Sequence, residues 1–144
     1  MDFFQLMSRR LNGHERIVPS YLCSKPRTRQ FADLIGVHAP ALFGSDSIEE
    51  LLKLPLPDEF VSKPAYASTS IAVKLLQRTG KEWRDLISEE FSSNEELKSQ
   101  ANELSNRYPN MEQQGVFIAE ELLRDPDEVT PLADMRFYTF QGLV

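Results

Sequence analysis

The chain has 144 residues, a net charge of -6 and 41% hydrophobic residues, which is enough for one domain with a core of its own. One cysteine, Cys23, and two histidines, His14 and His38, exclude an internal disulfide framework and any Cys- or His-rich metal site. No apolar run approaches the ~18 residues needed to cross a bilayer, and Gln5, Arg9 and Arg10 interrupt the N-terminus before a signal-peptide core could form, so a cytoplasmic protein with no membrane partner is expected.

Charge is unevenly distributed. Residues 1–30 carry six basic side chains (Arg9, Arg10, Arg16, Lys25, Arg27, Arg29) against Asp2 and Glu15, a net +4, which leaves -10 for the rest. A basic start on an acidic body suits an anionic ligand or partner, and equally a solvated helix face. Only Tyr21 and Phe31 lie among these cations, so a base-stacking platform is not supported and nucleic acid is not the expected partner.

Taken in chain order, residues 2–11 read as a helix, with Phe3, Phe4, Leu6, Met7 and Leu11 on one side and Asn12-Gly13 as its stop. A second helix is predicted over 26–35, capped by Ser24, burying Phe31, Leu34 and Ile35, and ended by Gly36. Ser47-Ile48-Glu49-Glu50 has the form of a capping box for a short helix with Leu51, Leu52 and Leu54 as its apolar face. Pro55 and Pro57 forbid its continuation.

The period then changes. Residues 59–65 read as a strand with Phe60 and Ser62 on one face and Val61 and Lys63 on the other. Residues 70–76 read as its partner, across a small, hydroxyl-rich loop at 66–69. After Gly80, a helix carrying Trp83, Leu86 and Ile87 is predicted over 82–90, followed by a second capping box, Ser93-Asn94-Glu95-Glu96, opening a helix to about Arg107. Leu97 and Leu104 are the large apolar residues of that helix, so 82–107 reads as peripheral. Residues 115–123 form the clearest strand, because Val116-Phe117-Ile118-Ala119 is the continuous apolar run of a strand covered on both faces. A last strand is expected over 134–141. The sum is an α+β fold, a small, mostly antiparallel sheet with flanking helices.

Three places could carry chemistry. Lys63 ends a strand, directly before Pro64 and the loop containing Ser68 and Thr69, and could seat a phosphate. At an effective dielectric near 20, a lysine about 4 Å from one phosphate charge gains roughly 4 kcal/mol before desolvation. The bland alternative is a strand lysine whose stem covers apolar surface. Glu120 and Glu121 follow the apolar strand; adjacent strand residues face opposite ways, so they are not a paired acid/base site, but one could look into a cleft. Asp134 and Arg136 share a strand face, as a structural pair or as a phosphate-directed guanidinium. Catalytic residues cannot be assigned: no G-x-S-x-G or Walker-type loop occurs, and Cys23 reads as a small buried hydrophobe.

Three segments together resemble a known family. Leu56-Pro57-Asp58-Glu59-Phe60-Val61-Ser62-Lys63-Pro64 resembles the lysine strand of the TupA-like (teichuronopeptide biosynthesis-like) ATP-grasp proteins. Phe117-Ile118-Ala119-Glu120-Glu121-Leu122-Leu123 is similar to their adenine hinge strand, and Asp134-Met135-Arg136-Phe137-Tyr138-Thr139-Phe140-Gln141-Gly142 to their D-x-K-F-x-x-F-x-G strand. Ser24-Lys25 with Arg29 looks like the family's D-K…R helix. The resemblance spans about residues 20–143 and implies an N-terminal helical segment, 1–20, ahead of a partial ATP-grasp-like nucleotide-binding domain, 21–144.

What the resemblance implies is an ATP site. Lys63 would meet the phosphates, with Ser68 and Thr69 in the loop that follows it; Glu120 would meet the adenine amine, and the backbone from Glu121 to Leu123 the ring edge. Asp134 would lie near the ribose, and Arg136 stands where the family has lysine. Two departures bear on turnover. The loop 65–70 has no glycine where the family's phosphate loop is Gly-rich, and the family's magnesium ligands fall on strands beyond the match. The expectation is therefore a nucleotide-binding protein related to cell-surface polysaccharide or polymer biosynthesis. It would be truncated and weakly active or inactive alone, an ATP-dependent ligase only with magnesium and a missing C-terminal part, which a protein partner could supply. The alternative is a non-enzymatic protein-interaction domain on a degenerate ATP-grasp scaffold.

Overall fold

The computed structural model describes residues 4, 5, 8, 9, 12, 25–66, 71–109, 111 and 113–124. Among them are helices α1 (Lys25–Leu34), α2 (Ile48–Leu51) and α3 (Asn94–Arg107). The strands are β1 (Leu42–Asp46), β2 (Glu59–Pro64), β3 (Lys74–Thr79), β4 (Glu82–Asp85), β5 (Phe91–Ser92) and β6 (Phe117–Glu120). They form one open sheet in the order β1-β6-β2-β3-β4-β5, antiparallel at every described pairing. The fold is α+β with a small antiparallel sheet, as the sequence predicts. β2 to β5 are a meander, and β6 returns to sit between β1 and β2.

The alternation on β2 decides which side is inside. Phe60, Ser62 and Pro64 are buried; Glu59, Val61 and Lys63 are half-buried. Phe60 is fully enclosed and meets the buried Trp83 edge-on, with ring centroids 5.1 Å apart. Leu51, Leu76, Leu97, Ala101, Leu104, Phe117 and Ala119 complete this core. β6 is buried along its whole length, the outcome expected for its unbroken apolar run.

Residues 82–90 are not a helix. Thr79 pairs with Glu82 around the two-residue loop Gly80-Lys81, and Gly80 has φ +64. A glycine with positive φ at the first loop position suits the twist of a tight hairpin, and it feeds β4 rather than a helix. Trp83 then packs on the core face, and its Nε1 donates to Asn94 Oδ1 at 2.9 Å. Asp85 ends the strand. Its buried carboxylate accepts from the Ile87 and Leu75 amides (3.1 and 3.3 Å) and from Ser88 Oγ (3.2 Å). The partner strand of β2 runs over 74–79 rather than 70–76, because a turn at Ile71-Ala72, with Ala72 at φ +52, delays its start.

α3 is part of the core, not peripheral. Ala101 fills the step between Leu97 and Leu104, so a stripe at i, i+4 and i+7 is buried. Its capping box is complete: the Glu96 amide donates to Ser93 Oγ (3.3 Å), and the Ser93 amide to Glu96 Oε2 (2.7 Å). The box at Ser47 is half-formed. Ser47 Oγ accepts from the Glu50 amide, but the Ser47 amide donates to the nearer Asp46 Oδ1. Of that helix's expected apolar face, Leu51 is buried, Leu52 packs at the core margin and Leu54 is exposed. α1 departs further, since it buries no residue, and Phe31, Leu34 and Ile35 face solvent. β1 was not legible as a strand; a bulge between Leu42 and Gly44 breaks its alternation. Of the helix expected over 2–11, Phe4, Gln5, Ser8 and Arg9 are helical and the rest lie outside the described residues, as does the strand expected over 134–141.

Candidate functional site

The outer face of the sheet, opposite the core, carries Lys63 and Glu120. β2 and β6 pair so that Lys63 lies opposite Ile118 and Val61 opposite Glu120. Lys63 and Glu120 are thus diagonal neighbours on one face, within reach of long side chains. Lys63 Nζ donates to Glu120 Oε1 in a direct ion pair, and Arg29 Nη1 stands 3.8 Å from Glu120 Oε2. The Glu120 carboxylate is nine-tenths enclosed.

α1 lies over this face by its cations. Lys25 and Arg29 are four residues apart and therefore share one side of the helix. Lys25 Nζ donates to the Pro64 carbonyl at 2.7 Å, and the Arg29 guanidinium to the Pro40 carbonyl. Burial first, and the Lys63 ammonium second, push the Lys25 amine below the usual lysine range; Glu120 opposes this in part. Between helix and sheet is a crevice of about 310 Å³, with Lys25, Arg29, Lys63 and Glu120 around it and Leu42 and Ile118 as apolar wall.

The chemistry of the lining is specific. Three cations meet one carboxylate, an excess of two positive charges in a partly desolvated space. Such an arrangement favours an anion of matching charge, and more strongly than an exposed patch would. The apolar wall beside it suits a flat or aliphatic group attached to that anion.

Of the residues named from sequence, Lys63 and Glu120 are brought together. Glu121 is turned away, as strand geometry requires. It is exposed, its Oε2 accepts from the Ala41 amide at 2.9 Å, and its own amide donates to the Ala41 carbonyl at 2.8 Å. Leu123, three residues past the end of β6, is 43% exposed. Ser68, Thr69, Asp134 and Arg136 lie outside the described residues. Lys25 and Arg29 are legible as basic residues of a helix and in the resemblance to the D-K…R helix, but not as site residues; their i, i+4 spacing is the signal that one face presents both. Leu42 and Ile118 carried no such signal, because their place depends on the pairing of β1 with β6. Among the described residues no group of three His, Cys, Asp or Glu side chains could hold a metal, and no helix is long and apolar enough to cross a membrane.

No family model, no curated protein and no solved structure matches this chain.

Proposed function

We propose that this protein binds a nucleotide, ATP, in the crevice between α1, β2 and β6, as a member of the TupA-like ATP-grasp proteins related to cell-surface polysaccharide or polymer biosynthesis. The observation that carries this reading is the meeting of Lys63 and Glu120 on one sheet face, with Lys25 and Arg29 beside them. The excess of positive charge suits a triphosphate, and Leu42 and Ile118 suit a purine face. Lys63 takes phosphate oxygens and leaves Glu120, which keeps Arg29 and accepts from the adenine amine. With the Glu121 amide already bonded to Ala41, reading of the ring edge falls to the backbone of Leu122 and Leu123. Ser68 and Thr69 belong to the phosphate loop, Asp134 to the ribose and Arg136 to the phosphates. We place binding ahead of turnover, because loop 65–70 has no glycine to let backbone approach phosphate closely. No carboxylate cluster among the described residues fits magnesium.

Isothermal titration with ATP and magnesium tests this. Saturable binding is expected, and Lys63→Ala should weaken it about tenfold or more, the loss of one charge-assisted contact. Unchanged affinity in Lys63→Ala removes that lysine from the site. ATP at 100 times its dissociation constant should raise stability by ~2.7 kcal/mol, seen as a higher melting temperature. The exposed Phe31, Leu34 and Ile35 favour a second reading, a protein-interaction domain. A stable partner in size-exclusion analysis, with no nucleotide effect on melting, would select it.

A further inference from the structure

α1 differs from the other long helix in what holds it. α3 is seated by Leu97, Ala101 and Leu104 in the core. α1 buries no residue, and its apolar Phe31, Leu34 and Ile35 point to water, so the hydrophobic effect contributes little to its position. Its cations bond to the sheet and to the segment before β1: Lys25 to the Pro64 carbonyl of β2, and Arg29 to Glu120 of β6 and to the Pro40 carbonyl. Those same cations line the crevice.

The chain leaving α1 has the form of a hinge with a fixed far end. Gly36, at φ +72, closes the helix, with the Val37 amide donating to the Ala32 carbonyl at 2.9 Å. Residues 37–41 follow without regular structure. At Ala41 the backbone is clipped to Glu121 by two bonds, 2.9 Å to its carboxylate and 2.8 Å from its amide. A displacement of α1 that releases Arg29 from the Pro40 carbonyl would be taken up between Gly36 and Pro40, while β1 stays with the sheet.

We propose that α1 is a charge-latched lid over the crevice, seated by an anion that bridges Lys25 and Arg29 on the helix to Lys63 on the sheet. A ligand touching both bodies stabilises the closed arrangement by its differential affinity for it. Without ligand, Glu120 serves as a weaker bridge, since it contacts both Arg29 and Lys63. The inference rests on the nucleotide reading only for the identity of the anion.

Amide hydrogen exchange of the full chain, read by mass spectrometry over 25–34 and 94–107, tests it. In the ligand-free protein, α1 should exchange much faster than α3. It should quicken further in high salt or in the Lys25→Ala, Arg29→Ala double variant, by about fivefold, as for loss of a partly exposed ion pair. Saturating ATP, or inorganic tripolyphosphate as the anion alone, should slow α1 by about tenfold or more and leave α3 unchanged. Protection by tripolyphosphate without ATP binding would keep the lid and remove the nucleotide. Exchange of α1 as slow as that of α3 in the free protein would overturn the lid whatever the nucleotide affinity, and so would α1 exchange unmoved by both saturating anions.

Discussion

The two faces of the sheet are built from the same strands but held by different forces. On β2, Phe60 and Ser62 enter a core closed by α2 and α3, while Lys63, one residue away, looks into a crevice bordered by α1. One face is mostly apolar and ring-packed, with the Lys74–Asp85 ion pair where β3 meets β4. The other keeps three cations and a buried carboxylate around an open space. Stability and the proposed ligand recognition then belong to opposite faces, and substitutions on the two should have separable effects.

The sharpest way to break that separation is to compare one residue from each face. Phe60→Ala opens a cavity beneath Trp83 and should cost ~3–5 kcal/mol in urea denaturation. Lys63→Ala should cost less than about 2 kcal/mol, because Glu120 retains Arg29 and the pair is partly exposed. Equal losses would show that the crevice carries the fold as much as the core does.

The core face depends on α3, and α3 on its cap. Ser93→Ala removes the acceptor for the Glu96 amide and should lower stability by ~1 kcal/mol, measured as a shift in denaturation midpoint with an unchanged slope. A change in ATP affinity in the same variant would couple the two faces.

The smallest effect concerns the rim of the outer face. Arg124 first, and Gln77 second, hold the Glu59 carboxyl below the usual carboxylate range through hydrogen bonds. Its folded pKa is then lower than its unfolded one. The stabilisation is present above the unfolded value of about 4.3 and is lost as pH falls through the depressed folded value. Glu59→Gln should lower the melting temperature at neutral pH by an amount equivalent to less than about 1 kcal/mol, since the carboxylate is one-third exposed. The difference from the parent should shrink in acid; a constant difference would mean the pair contributes no linkage.

Sequence patterns carried local structure well and long-range structure poorly. Ser93-x-x-Glu96 specified both halves of a cap, and alternation on 59–64 specified the faces of β2, because both are set by neighbouring residues. Residues 82–90 misled, since Trp83, Leu86 and Ile87 satisfy a helical spacing, while Gly80 at positive φ commits the chain to a hairpin. The buried stripe expected on α1 failed for a tertiary reason: its polar side faces the sheet, drawn there by Pro64, Pro40 and Glu120. Lys63 and Glu120 were legible as separate candidates. Their contact required the β2–β6 register, which joins residues 57 positions apart.

β6 has one further consequence, for the order in which the molecule is completed. Residues 59–92 fold back on themselves as consecutive hairpins, whereas β1 pairs with β6 alone among the described strands. A nascent chain emerging from the ribosome as far as α3 holds the hairpins, but its first strand has nothing to bind and Lys63 has no counter-charge. Four residues, Phe117–Glu120, fasten β1 to the meander and supply the missing carboxylate in the same act.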